Sequence, residues 1–220
     1  METEIRYYYS LESEEKIINF LKKIKELKYE GKYYEETLQY NHPMKKYDFY
    51  SLDIDGRFRI RKTIGDKESR AMITWKRRLK DNKLKNIHQE EEVEVNINIE
   101  EYDNLTFLIE NILHLKLVES YERYRSVFSD KEVEIVVDRF PFGIALEIES
   151  KDQSKPINVI EKWINKLGLN IKDSYKLSWD DKYQELCKKQ NKKINNIVTF
   201  SKDMPKEKKE FKNELHDKEE

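Results

Sequence analysis

The chain has 220 residues, of which 40% are charged and 37% hydrophobic, and 43 basic and 44 acidic residues leave a net charge of −1. This length favours one domain with a sizeable core, and the balanced charge argues against a general nucleic-acid binder, which would carry a basic excess. The single Cys187 excludes an intrachain disulfide and cysteine-based zinc motifs. With no apolar run of membrane-spanning length and no signal peptide before the first strand, we expect a cytoplasmic protein that does not bind membranes.

Hydrophobic periodicity predicts eight strands and four helices. In chain order they are strand 2–9, helix 12–28, strand 36–41, strands 56–63, 72–79 and 88–97, helix 100–114, strands 119–128, 133–140 and 144–150, and helices 156–167 and about 180–192. Gly168 is a natural C′ residue for the third helix. From residue 191 the chain is rich in Lys, Glu and Asn, which predicts a domain over 1–190 and a charged, partly disordered tail over 191–220.

The predicted strands sort their charges by sign. Because side chains alternate along a strand, Glu2 and Glu4 share one face of the first strand with Arg6. Bases occupy the polar faces of three strands, as Arg57, Arg59 and Arg61, then Lys76 and Arg78, then Arg123 and Arg125. Acids occupy three others, as Glu90, Glu92 and Glu94, then Glu134 and Asp138, then Glu147 and Glu149. A solvated sheet face accounts for any one strand, but not for this sorting across all of them.

A sheet closed on itself, with its charged faces inward, accounts for the sorting. Opposite charges facing each other across the interior offset the cost of removing each from water. The apolar faces then point outward, where the amphipathic helices can cover them in part. We therefore expect an α+β fold, with an eight-stranded antiparallel closed β-barrel and flanking helices.

An interior with both signs of charge suits two chemical groups. A polyphosphate chain binds the bases, because guanidinium groups match phosphate oxygens in pairs. A hard divalent cation, Mg²⁺ or Mn²⁺, binds the carboxylates and bridges to phosphate. Together these parts favour metal-assisted phosphoryl chemistry on a small-molecule triphosphate or polyphosphate.

The charged strands resemble those of the CYTH proteins, also called triphosphate tunnel metalloenzymes. Glu2, Glu4 and Arg6 resemble the ExExK strand that opens members of the family. The resemblance continues through FRIRK (58–62), ITWKRRL (73–79), EEEVEV (90–95), YERYRSVF (121–128), VDRFPFGIALEIE (137–149) and SYKLSWDDKYQEL (174–186). ExExK alone is a weak signal, but its combination with the late D…P-x-G…ExE block and the R-x-R strands is specific. The resemblance covers about residues 2–190.

The resemblance implies an eight-stranded antiparallel tunnel that binds a triphosphate and one or two metal ions. Family members hydrolyse inorganic triphosphate, nucleoside triphosphates, thiamine triphosphate or RNA 5′-triphosphates, and some cyclise ATP to cAMP. Matched by motif, the metal ligands are Glu2, Glu4, Glu147 and Glu149, with Asp138, Glu92 and Glu94 as further candidates. The phosphate-binding residues are Arg59, Arg61, Lys76, Arg123 and Arg125, joined by Arg6. The alternative for any one of them is a salt bridge within the tunnel.

Arg6 departs from the family pattern, which has lysine at this position. An arginine stays protonated and is a poor general base, so it can hold phosphate but not activate water. We expect Glu4, Lys76 and Arg6 to take part in catalysis, with Lys76 or a tunnel tyrosine such as Tyr8 as a possible activating group. The leading hypothesis is a metal-dependent triphosphatase, monomeric or homodimeric. The alternatives are a class IV-like adenylate cyclase, which makes cAMP and pyrophosphate, and a non-catalytic polyphosphate-binding module.

Overall fold

An antiparallel sheet curls around a charged interior in this computed structural model, which describes residues 2–51, 53–66, 68–78 and 88–212. The eight long strands are β1 (Glu2–Tyr9), β2 (Lys28–Asn41), β3 (Gly56–Gly65), β4 (Ser69–Arg78), β5 (His88–Ile97), β6 (Lys116–Ser129), β7 (Val133–Phe140) and β8 (Gly143–Ser150). A two-residue strand, β9 (Ile197–Val198), pairs in parallel with β6. The predicted α+β fold with eight antiparallel strands is confirmed.

The strands pair in the order β2-β3-β4-β5-β1-β8-β7-β6, and β6 pairs back onto β2. The β2–β6 ladder runs over almost the whole of both strands, from Lys28 to Asn41 of β2. The β1–β5 ladder is short, from the pair Glu2 and Glu90 to the pair Glu4 and His88. The expected closed barrel is therefore a strongly curled sheet that is not fully closed, because β1 and β5 pair over only three residues each.

The first helix is shorter than predicted and the second strand longer. Helix α1 (Glu14–Lys22) follows a 3₁₀ turn, and β2 already begins at Lys28. The helical spacing continued past Lys22 because Ile24 packs into the core from a turn rather than from a helix. Gly31, at φ 152°, lies at an irregularity in the β2–β6 ladder, where an L side chain would be strained.

Two helices cover the outer face of β1, β7 and β8. Helix α3 (Pro156–Lys166) and α1 pack their apolar stripes against this face, and Trp163 is among the largest fully buried side chains. At the end of α3, Gly168 adopts φ 62° and the Leu169 amide donates to the Ile164 carbonyl at 2.9 Å. This geometry is typical of a Schellman end and confirms the predicted role of Gly168.

The opposite side of the sheet is covered only in part. Helix α2 (Tyr102–Phe107), which continues as a π-helical turn over Leu108–Ile112, packs on the outer face of β2, β3 and β4. On β5, Val93 and Val95 remain 55% and 51% exposed. Among the residues described, no helix is both long and apolar enough to cross a bilayer.

Helix α4 (Trp179–Lys189) lies where the fourth helix was predicted, and the segment after it packs on the sheet. Val198 and Met204 are buried against aromatic residues of the sheet, and the Phe211 ring packs edge-on against Tyr9 at 5.3 Å. A few buried apolar residues among many charged ones hold this segment on the sheet, and the last of them is Phe211. Residues 213–220 lie outside the described part of the chain.

Candidate functional site

A cavity of about 400 Å³ lies inside the curled sheet. Its wall is built from the inward faces of the strands, because alternation turns every second side chain to the interior. Most of the predicted site residues line it, namely Glu4, Arg6, Arg59, Arg61, Lys76, Glu92, Glu94, Arg123, Arg125, Glu147 and Glu149. The sign-sorted faces read from the sequence therefore do meet around one space.

The wall formed by β2, β6 and β7 holds two arginines on buried carboxylates. Asp138, fully buried, accepts hydrogen bonds from Arg123 Nη1 at 2.7 Å and from Arg125 Nε and Nη2 at 2.7 and 2.6 Å. Arg123 Nε also donates to Glu35 at 2.6 Å. The predicted metal candidate Asp138 thus lies against two guanidinium groups, which it holds in place.

The electrostatics of this wall are those of a locked ion network. Burial opposes ionisation of Glu35, but Arg123, Arg61 and Arg125 outweigh it and hold the pKa of that carboxyl well below its usual value. Burial likewise opposes the charge on Arg125, and Asp138 outweighs it, so the pKa of Arg125 is raised. Glu35 and Arg125 therefore both stay charged across the physiological range.

The neighbouring wall, on β3, presents two arginines that meet a tyrosine. Arg59 Nη1 donates to Tyr121 Oη at 3.1 Å, and Arg61 Nη2 donates to the same oxygen at 3.4 Å. Arg61 Nε also donates to the Thr37 hydroxyl at 3.2 Å. These guanidinium groups complete a basic cluster with those of Arg123 and Arg125, as the sequence predicted.

Carboxylates gather where β1 pairs with β8. Arg6 bridges two of them, with Nη2 at 2.8 Å from Glu4 Oε1 and Nε at 2.6 Å from Glu147 Oε1. Burial disfavours the charge on Glu147, yet Arg6 and Arg125 outweigh it and lower its pKa. Glu149 faces the same cavity. The side chain of Glu2, the remaining predicted ligand on this strand, lies outside the described part of the structure.

The third part of the wall lies on β4 and β5. Lys76 Nζ is 3.1 Å from Glu92 and 3.8 Å from Glu90, and Arg57 is 3.7 Å from Glu90. Glu94 is exposed at the edge of the cavity. Lys76, a predicted phosphate-binding and catalytic residue, is therefore placed on the cavity wall between two carboxylates.

The predicted metal ligands are carboxylates, as a divalent cation requires, but two of them are paired with an arginine. Carboxylate oxygens are the donors that Mg²⁺ and Mn²⁺ prefer. Among the side chains that the structure describes, however, no group of three or more Asp, Glu, His or Cys residues is arranged to hold a metal ion. In the present arrangement the guanidinium of Arg6 lies between Glu4 and Glu147, so a cation bound there has to compete with it.

The first turn of α4 closes one end of the interior. Ser178 caps this helix in a reciprocal arrangement with Asp181, and both Ser178 and Trp179 line the cavity. The Trp179 ring lies 4.2 Å from that of Tyr121 and stacks on Phe140. The charged interior therefore ends at a layer of aromatic side chains, formed by Trp179, Tyr121 and Phe140.

Tyr8 packs with this aromatic layer and does not line the charged cavity. Its ring packs against Phe142 and Tyr175, and it lines a separate cavity on the other side. Burial raises the pKa of Tyr8 well above its ordinary value, even though Arg6 opposes this. Tyr8 keeps its proton at neutral pH, so the expectation that it could activate water is not supported by its surroundings.

Sequence reasoning missed Glu35 and Thr37 and gave Tyr121 no role. The predicted strand began at residue 36, so the inward set on β2 was not recognised. The alternation of Tyr33, Glu35 and Thr37 was the signal that could have found them, since all three turn toward the interior.

No protein-family model matches the chain, and no curated protein matches it. Solved structures match it over most of its length. The PH1819 protein of Pyrococcus horikoshii is 23% identical with a TM-score of 0.65, over 84% of this chain and 99% of its own. A candidate adenylate cyclase from Vibrio parahaemolyticus is 17% identical with a TM-score of 0.59, over 81% and 95%. HpAC1 from Hippeastrum, a candidate adenylyl cyclase with a dominant triphosphatase activity, is 15% identical with a TM-score of 0.55, over 88% and 98%.

These likenesses show the fold, and the fold agrees with the motifs. The resemblance to CYTH proteins implied a tunnel of antiparallel strands, and alternation and amphipathicity predicted its inward charges and flanking helices; the structure contains all three features. The similar structures include candidate adenylate cyclases and one with triphosphatase activity. The chain therefore shares the fold of these solved structures, and that fold agrees with the resemblance to the CYTH proteins.

Proposed function

We propose that this protein is a divalent-metal-dependent triphosphatase that acts on a small-molecule triphosphate. The observation that carries the proposal is a single cavity with a cluster of four arginines on one part of its wall and carboxylates on another. The dominant triphosphatase activity of HpAC1, which shares the fold, favours hydrolysis over cyclisation.

The arginine cluster (Arg59, Arg61, Arg123 and Arg125) would bind the phosphate chain. Arg123 and Arg125 are held by Asp138 before any substrate arrives, so little ordering entropy is lost when phosphate binds. Guanidinium groups match phosphate oxygens with paired hydrogen bonds. Lys76, with a single ammonium, would add charge from the β4 side of the cavity.

The metal ion, Mg²⁺ or Mn²⁺, would be held by Glu2, Glu4, Glu147 and Glu149. Glu92 and Glu94 line the same cavity and would serve as further ligands, whereas Asp138 acts through the arginines that it holds. When bound, the ion supplies neutralisation of the charge that develops on the phosphoryl oxygens. Arg6 would then be displaced from Glu4 or Glu147 and turn toward phosphate.

The test is a product-resolved assay with tripolyphosphate, ATP, GTP and thiamine triphosphate, each with Mg²⁺ and with Mn²⁺. We expect phosphate release that falls on the order of 100-fold or more in Glu4→Gln and in Glu149→Gln. Glu91→Gln is the matched control, because Glu91 pairs with Arg77 on the outer face of the sheet and should keep full activity.

Three outcomes would contradict the proposal. Formation of cAMP and pyrophosphate from ATP would identify a cyclase instead. Tight triphosphate binding without turnover under any metal condition would identify a binding module, which the locked Arg6 would then explain. Equal activity in the wild type and in both glutamate variants would show that these carboxylates take no part in the reaction.

A further inference from the structure

Tyr121 lies at the centre of the arginine cluster, and its hydroxyl oxygen receives two donors. It is 1% exposed, on the inward face of β6. Its oxygen accepts hydrogen bonds from Arg59 Nη1 at 3.1 Å and from Arg61 Nη2 at 3.4 Å. Two positively charged donors converge on this oxygen, and charge-assisted hydrogen bonds are stronger when the acceptor is an anion. The geometry suits the anionic form.

The buried charge of Arg59 also favours an anionic Tyr121. Its guanidinium is 7% exposed, and within the described residues no carboxylate lies within ion-pair distance of it. Its hydrogen bond to Tyr121 is the polar contact that the structure gives it. A buried charge without a counterion is costly, so an anion is needed at this position. In the empty cavity, the Tyr121 oxygen is the group in place to supply it.

We propose that Tyr121 is a phenolate that neutralises Arg59 and Arg61 in the empty cavity and takes up a proton when a phosphate anion replaces it there. The proton comes from solvent and ends on Tyr121 Oη, and the guanidinium groups remain charged throughout. Tyr121 is thus a positioning residue that keeps the arginines at the cavity wall. The identity of the incoming anion rests on the proposed function, whereas the ionisation of Tyr121 does not.

The surroundings of Tyr121 support this ionisation. Burial alone would raise its pKa, but Arg59, Arg61 and Arg123 outweigh burial and bring the pKa of Tyr121 to about 7. Glu35 on β2 is occupied by Arg123, and the neighbours from β7 and α4, Phe140 and Trp179, carry no charge. A bound phosphate adds negative charge beside the oxygen, so it raises this pKa and favours protonation.

One other group near Tyr121 titrates in the same range. Glu119 lies two residues earlier on β6, and burial, with Asp180, raises its pKa to about 8 even though Arg57 opposes this. Its carboxylate accepts a hydrogen bond from Gln39 at 2.8 Å. Glu119 therefore has to be separated from Tyr121 in any measurement of protons, and Glu119→Gln is the control that does so.

The experiment follows tyrosine ionisation by ultraviolet absorbance in the metal-free protein. We expect roughly one of the 14 tyrosines to ionise near neutral pH in the wild type and in Glu119→Gln, and none there in Tyr121→Phe. At about pH 8, addition of tripolyphosphate should abolish most of this phenolate signal. Calorimetry in two buffers of different ionisation enthalpy should show more proton uptake in the wild type than in Tyr121→Phe.

A neutral-range tyrosine signal that persists in Tyr121→Phe, or that is absent from the wild type, overturns the proposal. A phenolate that is present but unaffected by bound tripolyphosphate overturns the exchange step. If tripolyphosphate does not bind at all, the absorbance titration still decides the ionisation, and it is the proposed function that fails. Because Phe keeps the ring against Trp179, the variant should fold, which its thermal transition would verify.

Discussion

The two sides of the charged cavity are built differently. On β6 and β7, Arg123 and Asp138 are almost completely buried and joined at 2.7 Å, with Arg125 on the same carboxylate. On β4 and β5, the side chains of Lys76 and Glu92 are 13% and 20% exposed and 3.1 Å apart. The first side is a rigid network in low dielectric, and the second is a partly solvated pair that can rearrange. Rigid arginines suit recognition of phosphate, and adaptable carboxylates suit entry of a metal ion.

The largest effect that follows from this comparison is expected for Asp138→Asn. Removal of the buried carboxylate charge leaves the guanidinium groups of Arg123 and Arg125 without their shared counterion. We expect the free energy of unfolding to fall by about 3–5 kcal/mol, measured by urea titration. A loss below about 1 kcal/mol would show that this wall is as adaptable as the other one.

The second effect is a change in how stability depends on pH. The pKa of Glu35 is lower in the folded protein than in the unfolded chain, so its contribution is present above about pH 4.3 and is lost as the pH falls below it. Glu35→Gln should therefore lower stability at neutral pH and flatten the decline between about pH 5 and pH 2. Parallel acid-denaturation curves for the two proteins would contradict this.

A smaller effect is expected from Arg6→Lys, at the place where β1 pairs with β8. A lysine ammonium offers a single nitrogen in place of the Nε and Nη2 atoms with which Arg6 reaches the two carboxylates, so both carboxylates become easier for a cation to reach. We expect Mn²⁺ affinity, measured by titration calorimetry, to rise by about 3- to 10-fold, or ~1 kcal/mol. Arg57→Lys, at the longer pair with Glu90, is the matched control and should change little.

The smallest effect is expected for Glu92→Gln on the adaptable side. The pair with Lys76 is partly solvated, so its loss should cost less than about 1 kcal/mol in the free energy of unfolding. Together with Asp138→Asn, this variant measures the difference between the two sides directly. Equal losses of unfolding free energy in the two variants would show that the two sides of the cavity are equally rigid.

Much of the cavity could be predicted from the sequence because alternation is a local property. The inward positions of Arg59, Arg61, Arg123 and Arg125 follow from period two alone. Glu35 was missed because the predicted second strand began one residue after it, at residue 36, whereas β2 begins at Lys28. The partner of Asp138 could not be predicted, since a carboxylate facing a lumen can bind either a cation or a guanidinium, and only the register of β6 against β7 decides.

The position of β1 has a consequence for how the chain folds. This strand precedes the other strands of the sheet in chain order, yet it pairs with β5 and β8, and Arg6 is paired with Glu147 on β8. Its partners are separated from it by most of the sequence, and such non-local contacts form late because loop closure must come first. The charged interior therefore cannot assemble on the ribosome until β8 has emerged, and we expect slow folding that closes the cavity as one of its last events.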